Sequence, residues 1–229
     1  MILRGASDAF LPACLLVHPQ PARGRPRRAP LTGERVRLEP LDPDRHGDDL
    51  FAAAQGDPRL WDYLPYGPFD RDGFDAHLHA QAASEDPLFF ALVADGHAAG
   101  VASYMRIEPA HGCLEIGHIW FGAPLQRTPA ATEAIYLLAR HAFDDLGYRR
   151  LEWKCDAANA RSRRAAERFG FTFEGVFRQH LIVKGRNRDT AWFSILDGEW
   201  PAVRAAFEAW LAPSNFDACG RQKAPLRAR

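Results

Sequence analysis

The sequence predicts a single mixed α+β (α/β) domain, in which helices flank one mostly antiparallel sheet. Three successive segments between residues 88 and 121 have the alternation of strands, and a strand–helix–strand–helix order follows between residues 113 and 169. The composition, with 47% hydrophobic and 25% charged residues in a chain of 229, is that of a globular protein with a core. One domain is therefore expected rather than two.

Formal charge separates the two ends of the chain from its middle. Residues 1–30 sum to +4 and residues 213–229 to +3, whereas residues 31–212 carry 20 basic and 27 acidic residues and sum to −7. We therefore predict a domain over residues 31–212, preceded by a basic, disordered extension (1–30) and followed by a basic tail (213–229). Because an acidic domain repels phosphate backbones, nucleic-acid binding would require the tails or a local patch, and it is not expected.

The first half of the domain is predicted to begin with a strand and two helices. The segment 34–41 alternates charged and apolar residues, as a half-buried strand does. Asp42 followed by Pro43 predicts the start of a helix that ends near residue 55. Residues 70–84 repeat apolar side chains every four positions and predict a second helix. The prolines between these helices favour an ordered loop or short helical turns, which hold Trp61, Tyr63, Tyr66 and Phe69.

The second half is predicted to contain the main sheet and its longest helix. Residues 88–95, 98–107 and 113–121 predict an antiparallel meander. An amphipathic helix is expected over residues 127–146, and Gly147 ends it. The remaining elements are a strand at 150–155, a helix at 160–169, a hairpin of 171–183 with 189–196, and a terminal helix at 199–211.

The junction from strand to helix at residues 119–133 carries the first functional signal. Thr128 stands at the N-cap position of the predicted helix and Pro129 at its first helical position. The amides of Ala130, Ala131 and Thr132 are then expected to point out of the helix start, where the helix dipole favours a pyrophosphate. An ordinary capped helix explains the same residues equally directly.

A second capped helix makes the pattern specific. Asn159 is the expected N-cap after a strand, Ser162 lies three residues later, and Gly170 between two phenylalanines ends the helix. With the junction at 119–133, these residues resemble the GNAT superfamily of N-acetyltransferases. The resemblance spans roughly residues 31–196, and it is closest to the branch that acetylates N-terminal amines of ribosomal proteins.

The resemblance implies a single GNAT-like domain with a V-shaped split between two parallel strands, here 113–121 and 150–155. Acetyl-CoA is the implied co-substrate, with its pyrophosphate at the start of the following helix. The implied cofactor-binding residues are Trp120, Phe121, Gly122, Gln126, Arg127, Thr128, Pro129, Ala130, Ala131 and Asn159. This chain departs from the family pattern at Pro129, where the phosphate loop has its first glycine, so one donor amide is lost.

The resemblance also suggests two catalytic residues, Glu115 and Ser162. Many relatives place a tyrosine as general acid where this chain has Ala166, and Ser162 is the expected replacement. Glu115 stands where relatives often have their base, and a carboxylate partly desolvated there would have a raised pKa. A structural ion pair of Glu115 is the competing interpretation. Trp120 to Gly122 would supply the amides for the oxyanion.

The acceptor site is expected between the aromatic loop and the last hairpin. Trp61, Tyr63 and Tyr66 are predicted to contact the acceptor, together with His118, whose alternative role is that of a core residue. Arg178, Arg186 and Arg188 lie on or beside the hairpin that forms another wall. Rings that only cover the sheet would explain the aromatic residues as well.

The sequence thus predicts an acetyl-CoA-dependent N-acetyltransferase whose acceptor is the N-terminal amine of a protein. The alternatives are an enzyme for small amines, such as polyamines, amino acids or aminoglycosides, and a non-catalytic CoA-binding sensor, which Pro129 and Ala166 motivate. A second copy of the chain is an expected partner. With no apolar run of about 20 residues and no metal-ligand spacing among Cys and His, neither a membrane span nor a metal site is expected. Four cysteines without a paired motif fit a cytoplasmic protein.

Overall fold

The computed structural model describes residues 20–228, which form one eight-stranded sheet with helices on both faces. The strands are β1 (Leu31–Thr32), β2 (Arg37–Pro40), β3 (Leu88–Ala94), β4 (His97–Glu108), β5 (Cys113–Phe121), β6 (Arg150–Asp156), β7 (Thr172–Val183) and β8 (Arg186–Leu196). The helices are α1 (Pro43–Ala54), α2 (Arg71–Ala83), α3 (Pro129–Arg140), α4 (Ala160–Arg168) and α5 (Trp200–Leu211), with 3₁₀ turns at Pro58–Trp61 and Pro213–Asn215. This architecture confirms the predicted α+β class.

The sheet has the order β1-β2-β3-β4-β5-β6-β8-β7, and all neighbours are antiparallel except β5 and β6. These two strands are parallel because the chain crosses over through α3 between them. Their register joins only Cys113–Glu115 with Arg150–Glu152, and the strands diverge beyond those pairs. The structure therefore confirms the predicted split between two parallel strands.

The two faces of the sheet are covered by different helices. On one face, α3 and α5 bury a large apolar cluster that includes Leu138, Phe193 and Phe207. On the other face, α1 and α2 cover β3 and β4, and the second cluster reaches only as far as Trp120 on β5. Burial of these apolar surfaces is the main stabilising contribution to the fold. Next to this cluster, Lys154 of β6 contacts Glu115 of β5 and the ring of Trp192 on β8.

Side-chain caps start four of the five helices at the residues that the sequence indicates. The carboxylate of Asp42 accepts from the amide of Asp44, and that of Asp70 accepts from the amide of Gly73. Thr128 and Asn159 cap α3 and α4 in the same way. Since a cap satisfies an amide that the helix itself leaves unpaired, local sequence is enough to fix these starts.

The long helix predicted over residues 127–146 differs from the prediction in its second half. The α-helix is Pro129–Arg140, and a π-helical turn, His141–Asp145, follows it. The hydroxyl of Tyr104 donates to the carbonyl of Leu138 at 2.5 Å and competes with the helix's own amides for that acceptor. A side chain that enters the hydrogen-bond ladder widens the turn, and no periodicity within the helix can reveal it.

Residues 20–30 of the N-terminal extension, for which the sequence predicts disorder, contact the domain. The amide of Ala22 donates to the carbonyl of Pro109 at 3.0 Å, and the hydroxyl of Tyr148 donates to the carbonyl of Gly24 at 3.1 Å. Residues 20–30 therefore lie along the domain, because its backbone offers them partners, whereas residues 1–19 lie outside the described range. In the C-terminal tail, Leu226 and Ala228 are buried against the main cluster.

None of the helices within residues 20–228 is long and apolar enough to cross a bilayer.

Candidate active site

A cavity of about 1080 Å³ lies where β5 and β6 diverge. Its walls come from β5, β6, the start of α4, the loop after α1 and the β7–β8 hairpin. Of the residues expected from the sequence, the cavity brings together Glu115, Ser162, Trp120, Phe121, Gln126, Arg127, Asn159, Tyr63 and His118. It is not lined by Gly122, Thr128, Pro129, Ala130, Ala131, Trp61 or Tyr66.

A β-bulge in β5 opens the split. Val101 pairs with Trp120 and Ser103 with Gly117, so His118 and Ile119 together face a single residue of β4. His118 has a φ of +51°, a left-handed conformation that bends the strand. The bulge lies just after Glu115, the last residue of β5 that pairs with β6, and His118 and Ile119 line the cavity.

The start of α3 has fewer free amides than the sequence suggested. The hydroxyl of Thr128 accepts from the amide of Ala131 at 3.2 Å, so this amide is not available to a ligand. Pro129 has no amide hydrogen. Only Gln126 and Arg127 of this loop reach the cavity lining. The expectation of a free amide at Ala131 is therefore corrected, because the capping hydroxyl is its partner.

Gly122 has a packing role at the end of β5. Its amide donates to the carbonyl of Ala99 at 2.8 Å. A Cβ at this position would lie 2.7 Å from the Cβ of Ala53 and 2.9 Å from its carbonyl oxygen. Glycine is thus required where the chain leaves the sheet close to α1.

Glu115 is buried between two cations. One carboxylate oxygen lies 3.1 Å from Nζ of Lys154 and 3.3 Å from Nε of Arg106. Burial raises the pKa of Glu115 above the ordinary 4.5 of a glutamate, while Lys154 and Arg106 oppose that shift. Glu115 therefore forms the ion pairs that one interpretation of the sequence expects, and its role as the base stays a prediction.

Lys154 is a site residue that the sequence reasoning missed. Its side chain is only 4% exposed, and its Nζ lies 2.6 Å from Glu152 and 3.9 Å from the ring centre of Trp192. The alternation of β6 contained the signal, because Glu152 and Lys154 share the face opposite Leu151. This face contacts Glu115 only because of the parallel register of β5 and β6, which could not be predicted from the sequence.

Ser162 projects into the cavity from the first turn of α4. Its hydroxyl accepts from the indole Nε1 of Trp153 at 2.9 Å, and its amide donates to the side chain of Asn159 at 3.0 Å. Because the oxygen accepts from the indole, the hydroxyl is left to donate, and the thiol of Cys155 is one acceptor within its reach. The geometry is compatible with a proton donor held at the edge of the split.

We expect Ser162→Ala to lower kcat by about tenfold while the Kd of acetyl-CoA changes less than twofold, because the variant removes a proton donor and not a phosphate contact. Turnover by thiol release and binding by calorimetry would measure the two effects, with the exposed Ser214→Ala as a remote control. An equal loss in both quantities would make Ser162 a binding residue.

The aromatic loop bridges the two sides of the cavity. Lys184, at the tip of the β7–β8 hairpin, donates to the carbonyl of Trp61 at 2.8 Å. The hydroxyl of Tyr63 donates to the carbonyl of Ala158, before α4, at 3.3 Å. The ring of Trp61 is buried, with its centre 6.0 Å from that of Trp120. Tyr63 thus lies at the cavity, whereas Trp61 belongs to the core.

His118 is connected to the interior through Tyr66. The Nδ1 atom of His118 lies 3.2 Å from the hydroxyl of Tyr66, which accepts from Gln81 at 3.5 Å. Burial, assisted by the positive charges of Arg106 and Arg188, lowers the pKa of His118 to about 4. The imidazole is therefore neutral near pH 7 and lines the cavity, while Tyr66 lies behind it.

Comparison with known proteins identifies the family. Residues 35–172, more than half of the chain, match the family described as "Acetyltransferase (GNAT) domain". The chain belongs to this family. A crystal structure of a GCN5-related N-acetyltransferase from Brucella melitensis is similar at a TM-score of 0.89 and 51% identity, covering 91% of this chain and 96% of that one. The family membership confirms the predicted acetyltransferase enzyme and its fold.

Two curated bacterial relatives of this GNAT chain are named for ribosomal substrates. The "Putative ribosomal N-acetyltransferase YdaF" of Bacillus subtilis is 28% identical over 169 residues, which are 71% of this chain and 90% of that protein. The "Ribosomal-protein-serine acetyltransferase" of Escherichia coli is 32% identical over 111 residues, or 48% of this chain and 62% of that protein. These similarities support the ribosomal-protein branch that the sequence resembles.

Within residues 20–228, no cluster of three or more His, Cys, Asp or Glu side chains could hold a metal ion.

Proposed function

We propose that the protein is an acetyl-CoA-dependent N-acetyltransferase that acetylates the N-terminal amine of a protein. The observation that carries this proposal is the split between β5 and β6, which opens into the cavity. Glu115 lines it from β5 and Ser162 from the start of α4, so a candidate base and a candidate proton donor share one space.

The split has the groups that acetyl-CoA requires. Beyond the pair of Glu115 with Glu152, β5 has no strand partner on its β6 side in the described part of the chain. Its peptide groups there are open to an extended amide-containing chain. Arg127, Arg161 and Arg164 line the cavity near the starts of α3 and α4, where their charges suit phosphates. Acetyl-CoA supplies the activated acetyl group as a thioester.

The chemistry assigned to the protein consists of two proton movements. An amine must be neutral to attack a thioester, and the raised pKa of Glu115 makes its carboxylate a better proton acceptor, directly or through water. Lys154 and Arg106 hold this carboxylate in one position. Ser162 has a hydroxyl proton to offer the leaving sulfur.

The charge of the cavity favours a protein terminus over a polycation. Its lining contains seven basic side chains and four acidic ones. They are Arg59, Arg106, Arg127, Lys154, Arg161, Arg164 and Arg188 against Asp57, Asp62, Glu115 and Asp156. Because Arg127, Arg161 and Arg164 are assigned to the phosphates of acetyl-CoA, four basic and four acidic side chains remain for the acceptor. Polyamines and aminoglycosides carry several positive charges and find no excess of acids there, whereas a peptide N-terminus brings only one charge. The names of the two curated relatives agree with that choice.

The test is calorimetric titration of acetyl-CoA into the full chain, followed in the same sample by thiol release with N-terminal peptides. N-acetylated copies of the same peptides and spermine are the controls. We expect binding of acetyl-CoA and release only with free N-terminal amines. Release with spermine alone would replace the acceptor by a small amine, binding without release would indicate a CoA-binding sensor, and absence of binding would contradict the proposal.

The proposal includes a cytoplasmic setting and a second copy of the chain as partner. Cys113, Cys155 and Cys219 are all free thiols, which supports a reducing compartment. On the edge strand β7, Phe177 is 54% and Ile182 83% exposed, and these apolar side chains are available to a second copy.

A further inference from the structure

Arg188 on β8 is a half-buried cation that no group within residues 20–228 neutralises. It lines the cavity, and its Nε atom is buried without a hydrogen-bond partner. Within residues 20–228, its guanidinium makes neither a hydrogen bond nor an ion pair. Arg106 and Lys154, by contrast, both contact Glu115. Burying part of a guanidinium without a partner is unfavourable, so an anion bound here would be stabilised.

The acids of the cavity do not supply that anion. Asp57 forms its ion pair with Arg59, the charge of Asp62 acts on Lys184, and the carboxylate of Asp156 accepts from the amide of Ala158. Glu115 is held by Lys154. The partner of Arg188 is therefore expected to come with a ligand.

The position of Arg188 associates it with the acceptor rather than with the phosphates of acetyl-CoA. It stands on the same face of β8 as Trp192, which pairs with Lys154 beside Glu115. Its charge also contributes to lowering the pKa of His118 at the β5 bulge. The arginines suited to phosphates lie instead at the starts of α3 and α4. Arg188 thus extends the wall that leads away from the candidate base.

The spacing along β8 determines which residue of the acceptor can contact Arg188. Trp192 follows Arg188 by four positions, which is roughly 13 Å along the strand. An extended peptide whose amine lies near Glu115 covers this length in about four residues. An acidic side chain at position 2, 3 or 4 of the acceptor would then meet the guanidinium, which binds carboxylates in a two-point geometry.

We propose that Arg188 is a specificity residue that binds a carboxylate of the acceptor, so that the preferred protein N-termini carry Asp or Glu within their first four residues. This inference rests on the proposed function and names its substrate class more closely.

The experiment compares peptides that differ only by Asp or Asn at position 2, 3 or 4. Binding is measured by fluorescence anisotropy with a C-terminal label in the presence of CoA, and turnover by thiol release with acetyl-CoA. The variant is Arg188→Gln. The control is Arg186→Gln, on the same hairpin, because Arg186 is exposed and does not line the cavity.

We expect the unchanged protein to bind the best Asp peptide about tenfold more tightly than its Asn counterpart, which corresponds to about 1.4 kcal/mol. Arg188→Gln should abolish this preference while leaving the Asn peptide and the Kd of acetyl-CoA unchanged. Arg188→Lys should retain part of the preference, and Arg186→Gln all of it. Melting temperatures of the variants check that the fold is intact.

Two results would overturn the inference: equal affinity for Asp and Asn peptides, or an Arg188→Gln variant that weakens acetyl-CoA or both peptides alike. The proposed function is judged separately by thiol release. If Asp peptides bind more tightly but no peptide causes release of the CoA thiol, the anion site is retained and peptide acetylation is rejected. If only free aspartate or glutamate causes thiol release, and this release depends on Arg188, the carboxylate site is retained and assigned to a small acceptor.

Discussion

Replacing Glu115 with glutamine is expected to lower kcat by about a hundredfold or more and to remove the acidic limb of the pH–rate profile. A positioned general base contributes on the order of 10² to 10⁴ in rate, and glutamine cannot accept the proton. Glutamine has the same size as glutamate. Lys154 and Arg106 therefore keep a neighbour of the same shape and lose only its negative charge. Turnover with a saturating peptide acceptor from pH 5 to 9 measures both effects.

The direction of the pKa shift makes this prediction specific. The pKa of Glu115 is raised by burial, so the active carboxylate is lost as the pH falls through a value above the ordinary 4.5. Lys154→Met removes an opposing positive charge, and we expect it to move the acidic limb to higher pH. His118→Gln is the matched control, since the pKa of His118 is about 4 and its loss should not move that limb. A limb that persists in Glu115→Gln and disappears in His118→Gln would assign the base to His118.

The second large effect concerns stability. Glu133, in the second turn of α3, is buried and accepts three backbone hydrogen bonds from the loop before β2. Its carboxylate oxygens accept from the amides of Glu34, Arg35 and Val36 at 3.0, 2.7 and 3.1 Å. Glu133→Gln places an amide group against these donors, and we expect it to lower the free energy of unfolding by about 3 kcal/mol.

Urea denaturation of Glu133→Gln measures this loss. Glu34→Gln is the matched control, because the side chain of Glu34 is 76% exposed and its contact with Arg35 is on the surface. That control should change stability by less than about 0.5 kcal/mol. Equal, small effects in the two variants would show that the buried carboxylate does not stabilise the connection between α3 and β2.

Much of the fold could be predicted because its signals are local. Asp42, Asp70, Thr128 and Asn159 begin helices through bonds to amides two or three residues away. The strand β5 has the predicted bounds, since alternation and flanking turns define it within the segment itself. The π-helical turn after α3 could not be predicted, because it depends on the hydroxyl of Tyr104 from a distant strand.

The candidate site also contains residues that could be predicted from local sequence and residues that could not. Glu115, Ser162 and Asn159 could be chosen from motifs, and the structure brings them to one cavity. Trp61 and Tyr66 could not be distinguished from Tyr63 by sequence, because aromatic residues of one loop serve the core and the cavity alike. Thr128 also belongs to a motif. Its hydroxyl accepts from the amide of Ala131, so this amide is not free for a ligand as the motif had predicted.

The sequence by itself determined the family, the order of helices and strands and the capped helix that follows β5, since each depends on residues close together in the chain. Only the tertiary structure decided that β5 and β6 part after three residue pairs, that Lys154 meets Glu115 across them and that Arg188 has no partner among residues 20–228. The physical reason is that ion pairing and burial depend on strand register and on which side chains share a face, and both are fixed when the whole sheet packs.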